Sequence, residues 1–330
     1  MPLSRRTSTH RTAALAGLAV ALALAGCGGT TGAPRVSGAS PPPPCNRGPA
    51  MVQIENSPDA RPLAGVQQAN LVYEYRTEGG ITRLTAIFFH PSGTQKIEPV
   101  RSARLITLRL QKAYHGLVFY SGASDHVQGL IWSAHVPSIR DDGQHAQYFG
   151  RDPGRYAPHN LYTEGDRLAQ GQAKSAPCVS YPAAVPGTPA TAGAAVANQI
   201  GFDQTPSHRS VFTYAPQVGA YKYAVADTGV MIDRDTGAPI HIKNLVLIQV
   251  AHHNAGYTED VAGAPGIDFD LTGTGPADVF TGGHRYPATW DLNDPNSPLK
   301  IVGGNGKPFP MPDGLTWISI IDPGTPIGVS

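Results

Sequence analysis

Two features that would have narrowed the function at once are missing from this 330-residue chain: a membrane-spanning hydrophobic run and a catalytic signature. The longest uncharged apolar stretch, Ala13 to Ala25, covers about 13 residues against the roughly 20 that a permanent bilayer helix requires. There is no G-x-S-x-G elbow, no H-E-x-x-H, no Walker A loop and no complete G-x-G-x-x-G, which argues against the common enzyme classes built on them. Cysteine is scarce, at three residues, so the chain is not a disulfide-dense scaffold. A basic excess is also lacking: 25 Lys and Arg stand against 24 Asp and Glu, which leaves no footprint for nucleic acid.

What is present begins at the N-terminus. Arg5, Arg6 and Arg11 precede the short apolar run, the order of a secretory signal. Leu24-Ala25-Gly26-Cys27 follows directly and reads as a lipobox, with small residues ahead of a thiol that accepts a lipid. The expectation is a signal peptide over 1–26 and an extracytoplasmic protein held to the membrane by lipidated Cys27. Loss of 1–26 removes three arginines and no acid, leaving 22 basic and 24 acidic side chains, so membrane attachment rests on the lipid and not on a basic patch.

Residues 27–49 are dominated by Gly, Ser, Thr and Pro, with Pro41 to Pro44 in a row, and predict a disordered tether. With Cys27 lipidated, Cys45 and Cys178 remain as an even pair in an oxidising compartment; they form either a disulfide or two separate thiols. A second stretch rich in Ala, Pro and Gly, 181–207, predicts a linker, with a short helix an option over Ala194 to Ile200.

The fold class predicted is mixed α+β. An N-terminal α/β domain over 50–180 would have strands near 51–54, 71–75, 84–89 and 117–120 and helices over 102–114, 125–133 and 163–170. A β-rich C-terminal domain over 208–330 would carry many short strands, the clearest being a hairpin about Gly282-Gly283.

Several segments carry a resemblance. Ile54-Glu55-Asn56-Ser57-Pro58-Asp59-Ala60-Arg61-Pro62, Leu71 to Tyr75, Glu78 to Arg83, Pro99 to Arg104, Pro158-His159-Asn160-Leu161-Tyr162 and Asp313 to Ile318 resemble the YerB-like lipoproteins, from about Met51 to the C-terminus. That likeness implies two domains and a lipid anchor, and carries no catalytic residue, since the family is known as a domain of unknown function. The chain departs from the family pattern at Tyr120, where a His often precedes the turn here written Ser121-Gly122-Ala123-Ser124, and at Asp291, where a Lys is common.

Twelve histidines raise the question of a metal. His252 and His253 are adjacent, so on a strand they point to opposite faces, and neither they nor His241 has a Cys or carboxylate cluster at ligand spacing. Hydrogen-bonded imidazoles are expected, with no metal and no cofactor. The densest polar chemistry lies between Glu74 and Arg104. A carboxylate between Tyr73 and Tyr75 in a buried-looking strand needs a partner. The candidate site is Glu74, Glu78, Arg83, Arg101, Ser102 and Arg104; Glu74 and the three arginines are expected to converge, with Arg83, Arg101 and Arg104 receiving a carboxylate or phosphate of an envelope component. The alternatives are a glycan-active enzyme using Glu74 and Glu78, or a structural or protein-interaction module.

Overall fold

The computed structural model describes residues 46–180 and 186–330. The expected signal peptide, Cys27 and Cys45 lie outside the described residues. The tether expectation is corrected at its end. Gly48 and Pro49 are buried, and Asn46 to Gly48 run against 177–179 through Gly48 N–H to Pro177 O and Val179 N–H to Asn46 O.

Strand outweighs helix over the described chain as a whole, while the first half carries both the expected strands and three helices. Those are α1 (Leu105–Tyr114), α2 (Asp125–Ser133) and α3 (Gly165–Ser175). The main sheet runs in the order Lys300–Gly303, His284–Leu292, Gly273–Thr281, Asn244–Gln249, Thr316–Ile321, Leu71–Arg76, Thr82–Phe88, Ala50–Glu55, Leu117–Tyr120 and Ser138–Arg140, with Ala195–Val196 pairing off this path. Its centre joins the two halves of the chain. Strand 71–76 pairs with 82–88 on one side and, in parallel, with 316–321 on the other.

Alternation along these strands divides the core into two faces. Val52, Val72, Leu84 and Trp317 face α3 and a second sheet built from the C-terminal half, whose Phe202, Phe212, Tyr221 and Tyr223 fill that side. Met51, Tyr73, Tyr75 and Ile318 face the other way, onto Ile106 and Leu110 of α1, Val127 and Ile131 of α2, and the hairpin His252–Thr258/Pro265–Phe269.

The linker expectation over 181–207 is corrected: Gln199–Thr205 is a strand of the second sheet, paired with His208–Ala215. The helix option over 194–200 fails for the same reason. Ile200 and Phe202 alternate into the core, and buried Gln204 is accommodated by its amide donating to Ile320 O. The hairpin about Gly282-Gly283 is present, both glycines having positive φ as the tight turn demands.

Candidate functional site

Strands 50–55, 71–76, 117–120, 138–140, 244–249 and 316–321 all point one way, and ligands of such sheets collect at the carboxyl ends of parallel strands. That edge holds Glu55, Arg76, Glu78 and Arg140, and the antiparallel strand 82–88 delivers Arg83 there from its start.

Glu74 does not join the three arginines. It shares a face with Val72 and Thr82, whereas Arg83 lies one residue out of step, opposite Tyr75 and Glu55 in the pairing register, and so on the other side of the sheet. Glu74 is fully buried. Its Oε1 accepts from Asn56 Nδ2 (3.1 Å), Thr82 Oγ1 (3.0 Å) and Tyr223 OH (3.0 Å). Its Oε2 accepts from Trp317 Nε1 (3.0 Å) and Ser319 Oγ (3.4 Å). His208 Nε2 stands 3.2 Å from Oε1. A guanidinium has no lone pair to offer, so His208 Nδ1 accepts from Arg61 Nη2 at 2.9 Å and the ring proton sits on Nε2, toward Glu74. Burial alone would raise the Glu74 pKa, but the His208 contact and the bonds from Trp317 and Thr82 outweigh it and hold the carboxyl below its ordinary value. The result is a sealed knot, not an open site.

On the opposite face the remaining candidates do meet. Arg104, at the start of α1, pairs with Glu78 and lies 3.4 Å from Glu259, which the hairpin 252–269 brings across from the C-terminal half. The strand carrying Glu74 ends at Arg76, and a 3-10 turn over Glu78–Gly80 sends Glu78 to Arg104. Burial raises the Glu78 pKa, and the Arg104 bond and charge more than reverse it. Arg101 Nε lies 3.1 Å from Glu55 Oε2, which is also 2.8 Å from His159 Nδ1, and Ser57 donates to the other Glu55 oxygen.

Arg83 is the odd member. It is 1% exposed, its Nη1 donates to Ser102 O at 3.0 Å, and its Nε has no partner. Among the described residues no carboxylate comes within ion-pair distance of it. Burial and the nearby Arg104 charge push its pKa down to about 10, so it stays a cation at neutral pH. Three carboxylates and three guanidiniums share the cluster, yet the pairs leave Arg83 without an acid of its own.

Glu55, His159 and Glu259 escaped the sequence reading as site residues. The first two sit inside the segments that carry the family resemblance; Glu259 gave no signal, because its hairpin strand His252–Thr258 is polar on both faces. Of the histidines singled out, His252 donates from Nδ1 toward Asp322 and meets Arg76 through Nε2, while His253 pairs with Asp270.

Residues 31–178 match the N-terminal domain, and residues 199–318 the C-terminal domain, of a family described as "Protein of unknown function (DUF3048)". The chain belongs to that family. It is 28% identical over 284 residues to "Putative lipoprotein YerB" of Bacillus subtilis, covering 83% of this chain and 81% of the relative. The crystal structure of the Bacillus subtilis YerB protein superposes with a TM-score of 0.69 at 24% identity, over 86% of this chain and 94% of that one, so the fold is shared.

Proposed function

We propose that the chain is a lipoprotein of the cell envelope, anchored through Cys27, that binds an anionic group at the cluster of Arg83, Arg101 and Arg104. The anchor is supported by the lipobox and by a relative named as a lipoprotein. The single observation that carries the binding reading is Arg83: a buried guanidinium without a carboxylate is costly, and an anion supplied by a ligand relieves that cost. Arg101, whose side chain is 26% exposed, and half-buried Ser102 are the residues a ligand meets first, with Arg83 behind them.

The glycan-active alternative through Glu74 and Glu78 draws no support from this geometry. Both oxygens of Glu74 are occupied in a closed interior, and Glu78 is committed to Arg104. Glu74 itself plays a structural role.

Calorimetric titration of the detergent-solubilised lipoprotein with inorganic phosphate tests the binding reading. Binding is expected to weaken as salt rises and to fall about tenfold or more in Arg101→Ala, a loss of roughly 1.4 kcal/mol. Absence of heat with phosphate, or an unchanged affinity in both Arg101→Ala and Arg83→Met, would reject it. Peptide mass spectrometry of the same preparation should find an acylated N-terminal Cys27; recovery of unmodified 1–26 on the purified protein would remove the anchor.

A further inference from the structure

A cleft of about 490 Å³, which adjoins the arginine cluster through the His159–Glu55 contact, is lined by Asp59, Arg61, Arg155, Tyr156, His159 and Arg234 among others. We propose that this cleft binds a pyranose residue of an envelope glycan. The inference goes beyond the anion reading, because none of Arg83, Arg101 and Arg104 lines the cleft.

Size is the first argument, since the volume falls within the roughly 300–1,000 Å³ of small-molecule sites. The second is Tyr156. Its side chain is 91% exposed, and among the described residues its hydroxyl has no hydrogen-bond partner and its ring packs on no other aromatic ring. An aromatic ring at the rim of a polar cleft offers a flat apolar face with a polar tip, the surface that the C–H side of a sugar ring covers. His159 N–H donates to Tyr156 O at 2.8 Å, so one turn carries both the ring and the imidazole.

The third argument is the polar lining. The Glu55 carboxylate is 3% exposed and accepts a hydrogen bond from His159 Nδ1 at 2.8 Å, which fixes the imidazole plane and leaves Nε2 without a partner among the described residues. Asp59 is exposed and unpaired in the same sense, an acceptor for vicinal hydroxyls. Arg234, with a quarter of its side chain exposed, supplies donors to the cleft and is held by Glu98, Asp152 and the carbonyl of Gly154. Arg61 and Arg155 are different: their nitrogens are spent on Asn56, Asp227 and His208, and on Ala60 O, Pro62 O and Glu98, so they shape the wall instead of contacting the ligand. Acceptors at Asp59 and His159, a donor at Arg234 and an aromatic ring at the rim suit a neutral polyol more than a bare anion. Arg234 comes from the C-terminal half and the other eight lining residues from the N-terminal half, so the site needs both.

Saturation-transfer NMR on the solubilised lipoprotein tests the proposal with three probes: the disaccharide of N-acetylglucosamine and N-acetylmuramic acid, maltose, and a stem tripeptide without sugar. Transfer to the ring protons of at least one saccharide is expected, and the pair tells a cell-wall source from another glycan. Tyr156→Ala, a change at an exposed ring that cannot unfold the protein, and His159→Gln are each expected to reduce the transfer at least fivefold. No transfer to either saccharide, transfer to the tripeptide alone, or equal transfer in wild type and Tyr156→Ala would overturn it. Arg83→Met separates the two readings. Sugar transfer that persists in this variant while phosphate binding disappears supports both sites, and sugar transfer lost in Arg83→Met but kept in His159→Gln overturns the cleft.

Discussion

Two buried carboxyl groups in this protein have pKa values displaced in opposite directions, and the difference is set by how completely each is satisfied. Glu74 meets donors from six side chains and is held below the ordinary value of 4.5; Glu98 is also fully buried, but its Oε2 has no partner and burial pushes its pKa up despite Arg155 and Arg234. A depressed folded pKa means that the Glu74 contribution is complete above the unfolded value near 4.5 and disappears as pH falls from there through the folded value. The raised pKa of Glu98 works the other way: its relative contribution is present below about 4.5 and is lost as pH rises through the folded value. Glu74→Gln, which turns an NH2 group toward a ring of donors, should therefore cost about 3 kcal/mol or more from pH 7 down to about 4.5, with a deficit that shrinks as pH falls below that. Glu98→Gln should cost clearly less at pH 7. Urea unfolding of the two variants across that range checks both, and equal stability of Glu74→Gln and wild type at neutral pH would contradict the account.

At the level of elements, the sequence disclosed those whose side chains alternate strongly and hid those whose pairing depends on distant residues. Strands such as 71–76 and 316–321, and the turn at Gly282-Gly283, are written in local pattern. Strand 199–205 was concealed by Gly201, Asp203 and Gln204, and 252–258 by polar residues on both faces. The same limit misplaced Glu74 with the arginines: its need for partners was legible, but the face on which it found them follows from a register set by distant strands. Long-range pairing also bears on Cys178, which is disulfide-bonded and lies in an antiparallel bridge with Arg47. The bond to Cys45, two residues before Arg47, remains a proposal, because Cys45 lies outside the described residues. Closing a loop of roughly 130 residues would stabilise the fold by up to about 5 kcal/mol in the chain-entropy picture. Non-reducing peptide mapping should recover Cys45 joined to Cys178; a Cys178 peptide linked to Cys27, or free, would refute the pairing.

Across the whole molecule, the division at residues 178 and 199 into two family domains does not correspond to two independent cores. The main sheet crosses that division where 71–76 lies beside 316–321, and Glu74 takes two of its donors, Asn56 and Thr82, from the first half and four, His208, Tyr223, Trp317 and Ser319, from the second. On the other face, Arg104 with Glu259 and Arg109 with Asp268 repeat the linkage through the hairpin 252–269. Separation would leave the Glu74 carboxylate without most of its donors, a penalty of about 3–5 kcal/mol, and would open the middle of a sheet buried on both faces. Against a total stability of roughly 5–15 kcal/mol, that loss leaves neither half a comfortable margin. Residues 46–180 and 186–330 produced separately should therefore show poor amide-exchange protection and exposed apolar surface, and should regain protection when mixed or co-expressed. The intact chain should unfold in a single calorimetric transition once reduced or oxidised uniformly. Two well-separated transitions, or a first half that is stably folded alone with Glu74 in place, would show that the shared sheet is not what holds the protein together.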